Sequence, residues 1–330
     1  MKRVPLGKTG PSVSALGLGC MGMSGTYGPA DRKESLATLE AAVDAGITLL
    51  DTGDFYGMGH NELLIGEALK TIGRDRVLLS VKFGALRDPA GGFLGTDMRP
   101  KAVKTFLAYS LQRLGVDHID IYRPARLDSQ VPIEDTVGAI ADMVKAGFVR
   151  HIGLSEVGAD TLRRAAAVHA ICDLQIEYSL ISRGIEARIL PTARELGIGI
   201  TAYGVLSRGL ISGHWRKDAI TAGDFRAHSP RFQGANADTN LALVEALRRV
   251  AAVKGISVAQ LAIAWVARQG EDIIPLIGAR RRDRLEEALG SLDVVLTPQD
   301  VAAIELAVPK DAAAGTRYPS AAMAELDSEK

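Results

Sequence analysis

The stretch TLLDTGDFYGMGHNE, residues 48–62, drives an apolar pair, Leu49 and Leu50, straight into Asp51 and places Tyr56 in the glycine-rich segment just beyond. Lys82 ends another apolar run, VLLSVKFG. Taken singly, Asp51 and Tyr56 read as polar members of a surface loop, and Asp51 with Lys82 as a buried structural salt bridge. Taken together they could do chemistry. A lysine inside an apolar strand is expensive unless paired, and Asp51 is its natural partner. A phenol has a reference pKa of about 10, and a neighbouring ammonium stabilises the phenolate and lowers that value. A phenol so placed can hand a proton to a nascent alkoxide near neutral pH, or take one back. Reduction of a carbonyl by hydride needs that proton chemistry.

The elements that must position these residues follow a repeated pattern. A charged, alanine-rich helical segment ends in glycine and a short apolar strand follows, at Gly46, Gly115, Gly147 and Gly197. Glycine closes a helix at positive φ at little conformational cost. Helix, glycine, strand, repeated, points to βα units and a parallel sheet. Strands are expected near Ala15–Gly19, Thr48–Asp51, Val77–Lys82, Ile119–Arg123, His151–Ser155, Leu174–Glu177, Gly199–Ala202 and Ile273–Ile277, with helical segments between them and another after the last. Asp31, followed by Glu34, has the spacing of a capping box at the start of a helix. The segment KRVPLGKTGPSVS reads as a hairpin. No Ser- or Pro-rich linker divides the chain.

Eight βα units favour an α/β fold, a closed (β/α)8 barrel of the TIM type, as one domain over residues 1–330, with an N-terminal β-hairpin (about 1–14) and a C-terminal tail (about 308–330). An open, doubly wound sheet is the competitor, and its one supporting motif is GLGCMG, Gly17 to Gly22. In a dinucleotide fingerprint the helix begins inside the motif. Here Gly25, Gly28 and Pro29 forbid one before about residue 31.

Composition excludes several classes. The 330 residues are 47% hydrophobic and 24% charged, with 39 basic and 39 acidic side chains. That balance argues against a nucleic-acid or anionic-membrane partner. No apolar run approaches the roughly 18 residues of a membrane span, and the N-terminus carries no signal-peptide h-region. Cys20 and Cys172 sit in apolar settings and read as buried thiols of a reducing, cytoplasmic compartment. The six histidines show no metal-ligand spacing, so no metal site is expected. No feature specifies an oligomeric state.

Over nearly its whole length, from LGKTGPSVSALGLGCMGMS to LEEALGSLDVVLT, the chain resembles the aldo-keto reductases. LDTGDFYGMGHNELLIGEAL and SVKFG are similar to that family's motifs and place Asp51, Tyr56 and Lys82 on its catalytic Asp, Tyr and Lys. The resemblance implies a (β/α)8 barrel that uses NADPH to reduce an aldehyde or ketone to an alcohol, with Tyr56 as proton donor and a small-molecule carbonyl compound as partner. It also implies cofactor residues. Ser155 and Gln175 match positions that hydrogen-bond the nicotinamide carboxamide, and Tyr203 matches the aromatic that stacks on the ring. Gly204, Leu206, Arg208 and Gly209 belong to the segment matching the pyrophosphate loop, and Gly278, Arg280, Arg284 and Glu287 match the adenosine end. Guanidinium groups suit a 2′-phosphate, which favours NADPH over NADH. The alternative for the run Arg280–Arg282 is a solvated basic turn.

The resemblance breaks at one catalytic position. The segment IDIYRPARLDSQVPIED puts Ala125 where the family has a histidine. Alanine offers no donor to a substrate carbonyl. An enzyme relying on Tyr56 is the favoured outcome, and an NADPH-binding redox sensor with little turnover is the alternative. Arg123 and Arg126 flank the altered position, and alternation turns Arg123 toward the barrel interior. There it needs a carboxylate partner or meets an anionic substrate. Relatives with this altered motif include pyridoxal reductases, so a pyridoxal-like aldehyde is one candidate. Glu156 and Ala288 are smaller departures in the cofactor positions. Two segments are expected to cover the site: the long excursion from Ser212 to Asn240, and the tail, with Tyr318 near the substrate.

Overall fold

A computed structural model describes residues 1–221 and 223–330. The chain opens with a hairpin, β1 (Arg3–Pro5) and β2 (Ser12–Ser14), and then enters a barrel through β3 (Gly17–Gly19), β4 (Leu49–Gly53) and β5 (Leu78–Phe83). A second small hairpin, β6 (Ala85–Arg87) and β7 (Phe93–Thr96), stands outside the barrel. The barrel continues with β8 (Ile119–Pro124), β9 (Val149–Ser155), β10 (Ile171–Glu177), β11 (Gly199–Tyr203) and β12 (Ile273–Gly278). β12 pairs back onto β3, so the eight parallel strands close.

Helices α1 (Arg32–Asp44), α2 (His60–Ile72), α3 (Pro100–Leu114), α4 (Ile133–Lys145), α5 (Ala159–Val168) and α6 (Ile189–Leu196) each fill one crossover. α7 (Gly234–Val253) and α8 (Val258–Ala267) share the crossover after β11, and α9 (Arg282–Leu289), α10 (Pro298–Ala307) and α11 (Ser320–Ala324) follow β12. All eight expected strands are present, several one to three residues longer than the apolar pattern alone indicated. Gly46, Gly115, Gly147 and Gly197 all adopt positive φ where a helix turns into a strand. Among the described residues no single helix is long and apolar enough to cross a membrane; α7 and α8 pass that test only as a pair bent by 87°.

Alternation along the strands sorts side chains into two environments. Leu50, Leu79, Val81, Tyr122, Ile152, Leu174 and Ile200 point outward and pack with Leu39, Leu64, Val103, Val137 and Leu162 of the helices. Each such burial is worth about 1.5–3 kcal/mol. Inward at the bottom of the barrel, Leu49, Ile121, Cys172 and Ile274 meet Val4, Leu6 and Val13 of the first hairpin, which plugs that end.

Above this apolar floor the interior becomes polar. Arg123 is fully buried and donates to Asp173 Oδ2 at 2.9 Å and to Ser80 Oγ at 2.9 Å, while Thr201 donates to the same Asp173 oxygen at 2.5 Å. Of the two environments open to Arg123 from sequence, the structure has the carboxylate partner. With no exposed surface, Arg123 is a structural member of the barrel interior and not a substrate contact. Gly153 makes room for the pair, since a Cβ there would lie 2.6 Å from Asp173 Oδ1 and 3.1 Å from Arg123 Cζ.

Two local expectations resolve differently. Asp31 caps α1 by accepting from the Glu34 amide at 2.8 Å, but the Glu34 carboxylate does not return to the cap. It binds the Arg282 amide at 2.9 Å and the Arg282 guanidinium instead, a charged partner outcompeting a neutral amide. The GLGCMG glycines serve the barrel. Gly17 lies in β3, where a Cβ would sit 2.9 Å from a Leu276 methyl, and the first α-helix after them starts only at Arg32.

The hairpin meets the barrel at Gly7, which has φ +67° and whose added Cβ would lie 2.3 Å from the Cys172 carbonyl oxygen and 2.7 Å from the Gly199 nitrogen. Gly7→Ala should therefore lower unfolding stability by about 2–4 kcal/mol. It should read as a lower urea midpoint with an unchanged slope; an unchanged midpoint would show that the hairpin is not seated on the barrel floor.

Candidate active site

The strand register assembles the site. Asp51 lies opposite Ser80 and Gly53 opposite Lys82, while Gln175 aligns with Ser155 on one side and Thr201 on the other. Alternation turns Asp51, Ser80, Lys82 and Gln175 into the barrel. There Asp51 Oδ1 takes the Lys82 ammonium, and Oδ2 accepts from Ser80 Oγ at 2.8 Å and Gln175 Nε2 at 2.7 Å. Asp51 and Lys82 are 2% and 4% exposed, so the pair is shielded from water and salt. Because Ser80 also accepts from Arg123, the polar layer runs without a break from Asp173 to Lys82.

Tyr56 sits in the turn after β4, with its amide donating to Gly53 O at 3.0 Å and its carbonyl accepting from the Asn61 amide at 3.2 Å. Lys82 Nζ lies 5.2 Å from the centroid of the Tyr56 ring, without a hydrogen bond to the phenol. Asn61 is a residue that sequence reasoning passed over. Fully buried at the start of α2, it accepts from Thr52 Oγ1 at 2.6 Å and donates to Cys20 O at 2.9 Å and Ser24 Oγ at 2.7 Å. It thereby ties the Tyr56 turn to β4 and to the loop after β3.

The electrostatics differ from the simple expectation of a phenol acidified by its lysine. Burial pushes the Tyr56 phenol well above the usual range, and the Asp51 carboxylate pushes the same way, against the guanidinium of Arg126. Burial pulls the Lys82 ammonium down, while Asp51 holds it up. The ammonium is already committed to Asp51, so desolvation of the phenolate dominates and Tyr56 keeps its proton. A protonated phenol is the form a proton donor needs.

The expected cofactor residues gather on the neighbouring strand ends. Ser155 is buried at the end of β9, and its hydroxyl has no hydrogen-bond partner among the described residues. Tyr203 ends β11, donating to Glu156 Oε1 at 2.7 Å. The following loop holds Gly204, Ser207, Arg208 and Gly209 at φ 66°, 46°, 57° and 92°. Left-handed backbone at two non-glycine residues is strained and recurs where a loop must present backbone to a ligand. Ser207, inside that segment, carries a second buried hydroxyl without a partner among the described residues. The Leu206 carbonyl closes the turn, accepting from Gly209 and Ile211 at 2.9 and 3.2 Å.

Gly278 ends β12 at the surface, and Arg280 beyond it donates to the carbonyls of Tyr27 and Gly28 at 3.2 and 2.9 Å, with no carboxylate partner among the described residues. Its neighbours are committed elsewhere: Arg281 to Asp283, Arg282 to Glu34, and Arg284 to Glu287, which also binds His214. An open cleft runs beside them, lined by Pro29, Asp31, Glu34 and Arg280 to Asp283.

The tail adds a clasp that was not legible beforehand. Arg317 donates to Glu156 at 2.9 and 3.1 Å, to Glu177 at 3.2 Å and to Glu329 at 2.5 Å. Glu156 is buried at φ 52° and also accepts from Ser328 Oγ at 2.6 Å and the Glu177 amide at 2.9 Å. Burial alone would raise its carboxyl, but Arg317 and Arg126 outweigh that and hold it at about 2. Arg208 donates to the Arg317 carbonyl at 2.8 Å. Tyr318 is thus carried over the mouth, its hydroxyl 3.1 Å from that of Tyr203, and the Arg208 guanidinium lies 4.5 Å from its ring centroid. The excursion after β11 joins the same clasp. Arg231 donates to Ser182 Oγ and Ile181 O at 2.7 Å each, and pairs with Glu177 at 3.4 Å.

Comparison with known proteins bears on this arrangement. The family model for the aldo/keto reductase family matches residues 15–308. The chain is 42% identical over 321 residues to a probable aldo-keto reductase 1 of Glycine max, across 96% of this chain and 91% of that protein. The glycerol dehydrogenase of Gluconobacter oxydans superposes with a TM-score of 0.83 at 28% identity, covering 92% of this chain and 94% of its own. A thermostable aldo-keto reductase crystallised with the inhibitor epalrestat superposes with a TM-score of 0.74 at 25% identity, covering 93% and 100%. The class is therefore that of the (β/α)8-barrel oxidoreductases. The chain belongs to the aldo/keto reductase family over nearly its whole length.

Arg317→Ala would leave Glu156 and Glu177 buried without their shared cation. Stability at pH 7 should fall by about 3–5 kcal/mol. A carboxylate whose folded pKa is depressed stabilises the fold above its unfolded value of about 4.3 and loses that contribution as pH falls through the folded value. For Glu156 the window runs down to about 2, so the deficit of the variant should narrow below pH ~4 in denaturant titrations. A deficit that stays constant through that window would show that the clasp is not ionic.

Proposed function

We propose that the protein reduces an aldehyde or ketone to an alcohol with NADPH, using Tyr56 as the proton donor. The observation that carries this reading is the Asp51–Lys82 pair buried beside Tyr56 at the barrel mouth. The residues present fit the cofactor. The unpartnered Ser155 hydroxyl, together with the amide oxygen of Gln175, can meet a carboxamide, and Gln175 is oriented by its bond to Asp51. The ring of Tyr203 offers a stacking surface. The left-handed loop Ser207–Gly209 suits a pyrophosphate, and Arg280, lacking a carboxylate, suits a 2′-phosphate. NADPH, when bound, supplies the hydride.

The chain's own residues manage the proton. As charge develops on the carbonyl oxygen, the Tyr56 hydroxyl donates to it, and the phenolate left behind faces the Lys82 ammonium. Asp51 keeps that ammonium in place through the cycle, and Ser80 and Gln175 keep Asp51 in place. Ala125, buried at the end of β8, adds no second donor. One missing donor of this kind typically costs a factor of about 10²–10³ in rate. The alcohol named in a structural relative, the glycerol dehydrogenase, supports an alcohol–carbonyl couple. A pyridoxal-like aldehyde is one candidate substrate. Two buried, unbridged cysteines support a reducing, cytoplasmic setting.

Tyr56→Phe should lower carbonyl-dependent NADPH oxidation by about 10²–10⁴-fold, while the NADPH dissociation constant changes by less than about threefold. A panel of aldehydes, ketones and pyridoxal followed at the NADPH absorbance band tests this. Unchanged turnover in the variant would overturn the assignment of Tyr56. Tight NADPH binding by the parent protein without turnover on any carbonyl would replace the reductase with a redox sensor.

Arg280→Met should weaken NADPH binding by about 10- to 100-fold and leave NADH binding within about twofold. Fluorescence titration of both cofactors measures it, and parallel losses for the two would place the 2′-phosphate elsewhere.

A further inference from the structure

We propose that Arg126 and Tyr318 form an anion-recognition corner beside Tyr56, and that the carbonyl substrate carries a carboxylate or phosphate group. This rests on the reductase reading above and names the substrate class for it.

Arg126 follows β8 at the barrel mouth and is only partly exposed. It donates to its own neighbour, the Ala125 carbonyl, at 2.6 Å and to the Tyr318 hydroxyl at 3.3 Å. The other donors of its five-donor fork find no acceptor among the described residues. Among the described residues no carboxylate lies within ion-pair distance of it. The neighbouring arginines of the barrel interior and of the clasp each have one: Arg123 has Asp173 at 2.9 Å, Arg208 and Arg231 have Glu177 at 3.4 Å, and Arg317 has Glu156 at 2.9 Å. Glu156 acts on Arg126 from nearby, but both of its oxygens are already occupied by Tyr203, Arg317, Ser328 and the Glu177 amide.

A partly desolvated guanidinium with no carboxylate in direct contact is incompletely compensated, and a ligand anion relieves it. The planar fork matches carboxylate and phosphate oxygens in two-point geometry. The Arg126 charge also reaches the reacting groups. Burial is the larger influence on Tyr56 and Lys82, raising the phenol and lowering the ammonium; the Arg126 charge opposes the first and adds to the second. Tyr318 is held firmly enough to orient the fork. Its ring lies 5.9 Å from the Arg126 guanidinium carbon and 4.5 Å from that of Arg208, and the adjacent Arg317 is locked into the clasp. Arg126 was grouped with Arg123 on sequence alone; the structure separates them, one paired in the barrel wall and one open to a ligand.

The test compares matched substrates with NADPH: 4-carboxybenzaldehyde against 4-methylbenzaldehyde, and glyceraldehyde 3-phosphate against glyceraldehyde. The parent protein should prefer at least one charged member by 10-fold or more in kcat/KM, and the pair that shows it distinguishes carboxylate from phosphate. Arg126→Met should collapse that preference by about 10- to 100-fold, mainly through KM for the charged member, whatever happens to the rate common to both. Arg126→Lys, which keeps the charge and loses the fork, should retain part of it and serves where the Met variant does not fold. No preference in the parent, or equal losses on both members of a pair in either variant, would overturn the proposal. Calorimetric binding of 4-methylbenzoate and of inorganic phosphate to the NADP⁺-loaded protein needs no turnover. Loss of that binding in Arg126→Lys or Arg126→Met would support the corner even if no aldehyde were reduced, so failure of this proposal and failure of the reductase reading are told apart.

Discussion

Asp51 is the constraint on which the site depends. A lysine placed inside a barrel is tolerated only with a counter-charge, and a carboxylate placed there is tolerated only with donors on both oxygens. Asp51 meets both conditions: one oxygen takes Lys82, and the other takes Ser80 and Gln175. These partners come from two strands other than its own, so the carboxylate also fixes how β4, β5 and β10 present their ends. The pair therefore does two things at once. It makes the polar interior satisfiable, and it aims a single positive charge at the ring of Tyr56.

The rest of the molecule is layered around that node. The first hairpin closes the bottom with apolar side chains, so water does not reach the charges from below. Arg123 and Asp173 fill the middle, and Gly153 leaves the gap they occupy. At the top the barrel would be open, and there the chain spends charge rather than apolar surface. Arg317 draws Glu156, Glu177 and Glu329 together across more than 150 residues of sequence, and the excursion after β11 contributes Arg231 to the same cluster. The mouth is thus closed by a clasp of ion pairs and not by an apolar lid.

What was legible in the sequence follows from what is local. Helix, glycine and strand repeat within about ten residues, and the φ preference of glycine is a property of one residue, so the (β/α)8 architecture could be read directly. Asp51 and Lys82 were legible because a charge ending an apolar run is costly wherever it occurs. The partners of other groups were not. Glu34 had the spacing to complete a capping box, yet Arg282, far along the chain, takes it. Asn61 has no sequence signature, and its role exists only once the loop after β3 lies against it. The tail was expected over the site, but its anchor was not legible, because Arg317 meets carboxylates on β10 and just beyond β9. The hairpin β6–β7 was missed because it is short and its strands lie partly exposed, without the buried alternation that marks a strand.

The arginines show how the fold separates structure from recognition. Strand alternation turned Arg123 inward but left open whether a carboxylate or a ligand met it, and it gave no partner for Arg126, three residues on. Their partners tell the two apart. A guanidinium whose fork is filled by a carboxylate of the same chain has no capacity left for a ligand, and breaking such a pair strands a buried charge. A guanidinium that binds only carbonyl and hydroxyl groups keeps its charge available. Near the site, Arg280 and Arg126 are of this second kind, one beyond β12 and the other beyond β8. Arg280 lines the open cleft beside α1 and α9, and the Arg126 charge acts on the Tyr56 phenol. An extended dinucleotide carrying a phosphate at its far end and meeting an anionic carbonyl compound at its reactive end would satisfy both charges together. In that arrangement, the unpaired cations of the mouth are matched to ligands in the same way that its paired cations are matched to the protein.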